Sequence, residues 1–152
     1  MEKKLIVTIF FFIFGLANCF SQTNLGQISF GYRPSWGEIY NIEISINPWI
    51  DRKELAVVEI EINRKNKTSI EIPIDKYYKL CEVILKIDLA KLRDFERASF
   101  CADGTGVDIG FGISDKVYFS TNCLSRKYPV YNAIFEAVKI ISDFSGIDLY
   151  LD

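Results

Sequence analysis

Residues 40–46 read YNIEISI, a stretch in which large apolar side chains alternate with polar ones. Successive side chains of a β-strand point to opposite faces, so this alternation predicts a strand with one buried and one solvated face. The segments 28–32, 58–62 and 70–74 repeat the pattern, and the last two are rich in isoleucine or valine. Together these four segments predict an antiparallel meander of about four strands over residues 26–74.

Burial of the apolar positions also predicts how these strands pair. A turn over residues 64–66 would place Ile60 opposite Ile70 and Val58 opposite Ile72, whereas a shift of one residue would oppose an isoleucine to a polar side chain. The same matching gives the other expected neighbours: Ile44 with Val58, Phe30 with Ile42, and Glu59 with Glu71.

After residue 75 the apolar period changes from two to that of a helix. Asp75 is an expected N-cap for a helix over 76–87. A second helix is expected from Pro129 to Gly146, with residues 147–151 as a possible last strand. The predicted fold class is therefore α+β, an antiparallel meander of about four strands plus a later β-hairpin, with two amphipathic helices packed on one face of the sheet.

The later hairpin is predicted from residues 101–112, which read CADGTGVDIGFG. A dinucleotide loop would need a helix to begin inside the glycine motif, but a strand pattern follows it. A calcium-binding nonapeptide would need stacked repeats, and the chain holds one copy. A turn over 114–116 instead pairs Phe111 with Phe119 and Ile109 with Thr121, and it sets Gly112 against Tyr118 and Gly110 against Ser120. No cofactor is expected here.

The first residues have the pattern of a secretory signal peptide. Two lysines precede an apolar run from Leu5 to Ala17, and the small residues Cys19 and Ser21 follow. Cleavage after Ser21 would leave residues 22–152 as a single α+β domain, exported to the periplasm or secreted. A lipid anchor at Cys19 is the alternative at this end of the chain.

Composition excludes several classes of function. The chain has 18 basic and 20 acidic residues, and this balance argues against nucleic-acid binding. It has no histidine, so neither a common zinc site nor a serine or cysteine nucleophile with a histidine base is expected. In an oxidising compartment, Cys101 and Cys123 at the base of the hairpin could form a disulfide, while Cys81 points inward from its helix.

Two kinds of surface residue are candidates for binding. Exposed aromatic side chains at loop tips suit contacts with proteins or glycans, which singles out Tyr32, Trp36 and Trp49. The two tryptophan loops lie at opposite ends of strand 40–46, and each could instead cap an end of the core. Four carboxylates share the polar sheet face, where they could perform acid–base chemistry or simply be solvated: Glu43, Glu59, Glu61 and Glu71.

The order of elements resembles that of small uncharacterised exported bacterial α+β domains. The resemblance rests on the meander, the helix at 75–87, the hairpin entry Asp103-Gly104-Thr105 and the closing amphipathic helix. It implies a fold and an extracytoplasmic location, and it brings no activity with it.

The expected function is a non-enzymatic binding or interaction module of the bacterial periplasm or cell surface, with another extracytoplasmic protein or a glycan as partner. The alternatives are an inhibitor or immunity-type protein directed against an extracytoplasmic enzyme, and a small carboxylate-based hydrolase.

Overall fold

A six-stranded antiparallel sheet organises the chain. The computed structural model describes residues 24–34, 39, 41–49, 51–98, 105–112, 117–121 and 124–149. The strands are β1 Gln27–Arg33, β2 Ile42–Pro48, β3 Leu55–Ile62, β4 Asn66–Pro73, β5 Gly106–Gly112 and β6 Val117–Thr121. Their order in the sheet is β4-β3-β2-β1-β5-β6. The first four strands form the predicted meander and the last two form the predicted hairpin, which joins the meander along β1.

Three α-helices complete the α+β fold: α1 Ile74–Ile84, α2 Leu89–Ala98 and α3 Asn132–Ser145. The two predicted helices are present as α1 and α3, and α2 is a third helix that was not foreseen. It begins after Asp88, whose Oδ1 accepts a hydrogen bond from the Lys91 amide at 3.0 Å. Hydrogen bonds from that amide lower the pKa of Asp88, as expected of a carboxylate at a helix N-terminus.

The ends of α1 and α3 show how local sequence sets helix limits. Helix α1 follows Pro73 directly and has no side-chain cap, so the prediction of Asp75 as N-cap was wrong. It also ends at Ile84, earlier than expected. The predicted limits of the last helix are confirmed, since a 3₁₀ turn at Pro129–Tyr131 leads into α3 and Gly146 closes it with φ 71°. Residues 147–149 form no strand, and residues 150–151 lie outside the described residues.

One face of the sheet is covered and forms the core. Helix α1 packs on β2, β3 and β4 and against α3, while α2 packs on the 3₁₀ turn. The alternating apolar residues of every strand in the meander point to this side, as the sequence pattern predicts. The fully buried strand residues include Ile28, Phe30, Ile42, Ile44, Ile46, Ala56 and Val58.

The strand register differs from the predicted one by two residues in the meander. Val58 lies opposite Ile70 and Ile60 opposite Thr68, because the turn occupies residues 63–65. Asn63 and Arg64 adopt positive φ values of 53° and 57°, and the Asn63 amide donates to the Asn41 carbonyl at 2.8 Å. Because the register differs by two residues, every side chain remains on its predicted face of the sheet. The remaining corrected pairs are Ile44–Ile60, Phe30–Ile44, Glu59–Ser69 and Val57–Glu71.

The hairpin shows the same displacement. Ile109 lies opposite Phe119 and Gly110 opposite Tyr118, so Gly110 occupies the place that was predicted for Gly112. A Cβ atom added at Gly110 would lie 2.6 Å from Ser29 Oγ and 3.5 Å from Tyr118 Cδ2. Because Gly110 has no side chain, there is room for Ser29 of the neighbouring strand β1 beside the Tyr118 ring.

We expect Gly110→Ala to destabilise the protein by about 1 kcal/mol, because the new methyl group must displace the Ser29 hydroxyl from its 3.3 Å hydrogen bond to the Gly110 carbonyl. Urea unfolding would measure the change. In the Ser29→Ala background the same substitution should cost clearly less. An equal cost in both backgrounds would show that this contact is not the cause.

Candidate functional site

The candidate site is the polar face of the sheet, on the side opposite the helices. It contains a shallow cleft of about 300 Å³ that crosses β3, β2, β1 and β5. Small residues form its floor, since β1 contributes Ser29 and Gly31 and β2 contributes Ser45. Charged and aromatic side chains rise around this floor: Arg33, Glu43, Glu59, Glu61, Asp108 and Tyr118.

An ion pair between Arg33 and Asp108 fixes one wall of the cleft. Both terminal guanidinium nitrogens donate to the carboxylate, Nη1 to Oδ2 and Nη2 to Oδ1, the latter at 3.2 Å. Gly31 lies directly opposite Asp108 on β1, and a Cβ atom there would be 3.1 Å from Oδ2. Glycine at this position therefore makes room for the carboxylate, and the two-pronged contact holds the pair in a defined geometry.

Hydrogen bonding keeps Asp108 ionised in spite of its burial. Only 14% of its side-chain surface is exposed, and this burial by itself raises the pKa. Hydrogen bonds from Arg33, Ser120 and Tyr118 outweigh the burial, so the pKa of Asp108 lies below its ordinary value. Desolvation and the same carboxylate raise the pKa of Tyr118. The site thus holds a fixed carboxylate beside a protonated phenol at neutral pH.

We expect Asp108→Asn to destabilise the protein by about 1 kcal/mol at pH 7, because it removes the charge that Arg33 contacts. A pKa that is lower in the folded than in the unfolded state contributes stability above the unfolded value, and that stability is lost as the pH falls through the folded value. The difference between wild type and variant should therefore shrink below about pH 4. Denaturant unfolding from pH 7 to pH 3 would measure it, and a difference independent of pH would contradict the assignment.

Carboxylates line the opposite side of the cleft. Glu43 and Glu61 are directly opposite each other on β2 and β3, an arrangement of like charges that disfavours the folded state. Asn41 Nδ2 donates to Glu43 Oε1 at 2.8 Å. Lys67 Nζ lies 3.4 Å from Glu59 Oε2. This side of the cleft is therefore negative overall, although one lysine offsets part of the charge.

The predicted binding aromatics do not form this site. Tyr32 lies in the core with 3% of its surface exposed, so its ring offers no contact to a partner. Trp49 is half-buried beside β2, with the Arg52 guanidinium 4.5 Å from its ring centre, and it does not line the cleft. Trp36 lies outside the described residues, as do the predicted signal peptide at 1–21 and the proposed disulfide partners Cys101 and Cys123.

In the part of the chain that the structure describes, no group of three or more potential metal ligands comes together, and no helix is long and apolar enough to cross a membrane. Cys81 is buried in α1, and burial raises the pKa of its thiol. No protein-family model, curated protein or solved structure matches the chain. Its function is therefore inferred from the surface of the molecule itself.

Proposed function

We propose that this protein is a non-enzymatic binding module and that the open sheet face around the cleft is its binding surface. The proposal rests on one observation, which is that neighbouring residues hold the side chains of the cleft in fixed positions. Gly31 and Gly110 leave space that Asp108 and Ser29 fill, and the ion pair with Arg33 holds the carboxylate in place. Surface charges that are merely solvated need no such support. The signal-peptide pattern at residues 1–21 favours a partner outside the cytoplasm.

The shape and chemistry of the cleft favour a protein as the partner. Small-molecule sites are mostly apolar and enclose their ligand, whereas this cleft is open and most of the residues that line it are charged or polar. Tyr118 has 64% of its surface exposed at its edge, and tyrosine is enriched where protein interfaces concentrate their binding energy. Fixed charges of both signs suit the polar contacts of a specific interface.

The hydrolase alternative is less well supported by the same geometry. Glycoside hydrolysis needs two carboxyl groups that flank the scissile bond from opposite sides. Glu43 and Glu61 lie on adjacent strands and point out of the same sheet face, so they stand side by side. An inhibitor or immunity-type protein remains one form of the proposed binding function, in which the partner is an enzyme.

A capture experiment with matched charge reversals tests the proposal. The tagged protein would be incubated with an extracytoplasmic extract of its own source, beside the variants Glu43→Arg in the cleft and Glu82→Arg on the exposed side of α1. We expect wild type and Glu82→Arg to retain the same partner and Glu43→Arg to retain at least 10-fold less. Arginine at position 43 would face Glu61, so the variant should fold.

Three outcomes distinguish the possibilities. Equal capture by Glu43→Arg would show that the partner binds elsewhere, and the absence of any captured protein would overturn the binding function. If the partner is an enzyme, an assay of its activity with and without the protein decides whether the module inhibits it. Hydrolysis of glycans by wild type, lost in Glu43→Gln, would instead support the hydrolase alternative.

A further inference from the structure

The edge of the sheet at β6 is a second surface of interest. β6 is the terminal strand and pairs with β5 on one side, and no other strand of the described chain pairs with it. One edge of a terminal strand presents backbone N–H and C=O groups that a further strand can bind. Its five residues would span about 17 Å, enough for a short extended segment.

A groove of about 410 Å³ runs along this edge. Four consecutive residues of β6, 117–120, line it, although their side chains point alternately to the two faces of the sheet. A groove that is lined by residues from both faces of the sheet must run along the edge of the strand. Helix α2 forms the opposite wall through Leu89, Arg93, Glu96 and Arg97. The space between strand and helix therefore has the position and the length that an added strand would need.

The sequence of β6 lacks the features that protect a terminal strand. The other edge strand, β4, carries Lys67, Glu71 and Pro73, and charged residues and proline discourage the addition of another chain. β6 reads VYFST, without charge or proline and rich in residues that favour strands. Val117 and Tyr118 are 37% and 64% exposed. An open edge of this composition is a template for strand pairing.

Hydrogen bonds hold the helical wall at a fixed distance from the strand. Glu96 Oε1 accepts from Thr121 Oγ1 at 2.5 Å and from the Tyr131 hydroxyl. The Phe95 ring packs edge-on against Tyr131, with ring centres 5.6 Å apart. These contacts join α2 to the end of β6 and to the 3₁₀ turn, so the groove is formed before any partner arrives.

The charge of the groove indicates the chemistry of its occupant. Glu96 already accepts hydrogen bonds from two hydroxyl groups of the protein. Arg93 and Arg97 are exposed one helical turn apart on the groove-lining face of α2, and within the described residues neither forms an ion pair. Two unpaired guanidinium groups beside an open strand edge favour a segment with carboxylate side chains.

We propose that an extended acidic segment of a partner protein adds to β6 as a seventh strand, with its carboxylates bound by Arg93 and Arg97. The backbone of β6 supplies the affinity of such a complex, and the arginines select the sequence. The β6 strand of a second copy of this chain fits the groove less well, because it carries no carboxylate for Arg93 and Arg97 to bind. This surface meets the cleft at Tyr118, but it consists of the strand edge and α2 and includes none of the cleft's carboxylates, so the inference goes beyond the proposed function.

Three synthetic peptides test the proposal directly. The first alternates valine and glutamate over seven residues, the second replaces glutamate by lysine, and the third is the acidic peptide with an N-methylated backbone that cannot donate strand hydrogen bonds. Fluorescence anisotropy with the full chain would give each affinity. We expect the acidic peptide to bind at least 10-fold more tightly than either of the others, by an amount that falls with salt.

Matched variants assign the binding to the groove. The double variant Arg93→Glu/Arg97→Glu should bind the lysine peptide more tightly than the acidic peptide. The control Lys76→Glu/Lys79→Glu makes the same change of charge on α1 and should keep the preference for the acidic peptide. Circular dichroism confirms that each variant is folded. Equal affinity for the three peptides, no binding of any of them, or no effect of the groove variant would overturn the proposal. So would a dimer in sedimentation that the acidic peptide does not dissociate.

Discussion

Replacing Phe30 by alanine is expected to destabilise the protein by about 3–5 kcal/mol. Phe30 is 2% exposed and lies in β1, between Ile44 of β2 and Ile109 of β5. β1 is the strand through which the meander and the hairpin share one sheet. Removing the ring leaves a cavity where the meander and the hairpin meet, and a close-packed core fills such a space only in part.

The matched control is Phe111→Ala, which makes the same change near the end of β5, where the ring is only partly buried. Its cost should be smaller by about 1 kcal/mol or more, because less apolar surface returns to water. Urea unfolding followed by tryptophan fluorescence would measure both variants. Equal costs would contradict the central position of Phe30.

The sequence was sufficient to predict the faces of the strands and insufficient to predict their register. Alternation assigns each residue to a side of the sheet, and a shift of two residues leaves every assignment unchanged. The turn at 63–65 decides between the possible registers. It requires positive φ at Asn63 and at Arg64, and arginine is not a residue that marks such a turn.

Helix α2 was missed because its apolar stripe is narrow. Leu92 is its fully buried residue, whereas Phe95 is half-buried and much of the remainder is charged. A local signal did exist, since Asp88 precedes the helix and accepts the Lys91 amide. Tertiary packing against Tyr128 and Tyr131, which is remote in the sequence, supplies much of the apolar contact of this helix.

The candidate surfaces were harder to predict than the fold. Gly31 and Gly110 were predicted to lie in strands, but the room that they leave for Asp108 and Ser29 is apparent only when β1 and β5 are known to be neighbours. Arg33 and Asp108 are 75 residues apart in the chain. The groove likewise depends on α2, which was not foreseen. Tyr118 lines both the cleft and the groove, so the two proposed surfaces are continuous.

Tyr77→Phe is expected to destabilise the protein by about 2 kcal/mol, the second-largest effect among these variants. Tyr77 is fully buried in α1, and its hydroxyl lies 2.8 Å from both the Gly26 carbonyl and Asn24 Oδ1, two acceptors that share its proton. The variant keeps the ring but leaves the carbonyl without this donor. Because Gly26 directly precedes β1, amide hydrogen exchange at residues 27–29 should also become faster.

The dependence of stability on alkaline pH distinguishes the contribution of the Tyr77 hydroxyl from that of the packing of its ring. Burial raises the pKa of Tyr77 above its ordinary value of 10.0, so the stability it contributes is complete below pH 10.0 and is lost as the pH rises further. Wild type should therefore lose more stability above pH 10.0 than Tyr77→Phe does. Tyr78→Phe is the matched control, since the neighbouring ring is only half-buried, and its cost should stay below about 0.5 kcal/mol. Equal costs for the two tyrosines would show that the hydroxyl of Tyr77 does not hold the start of β1 to α1.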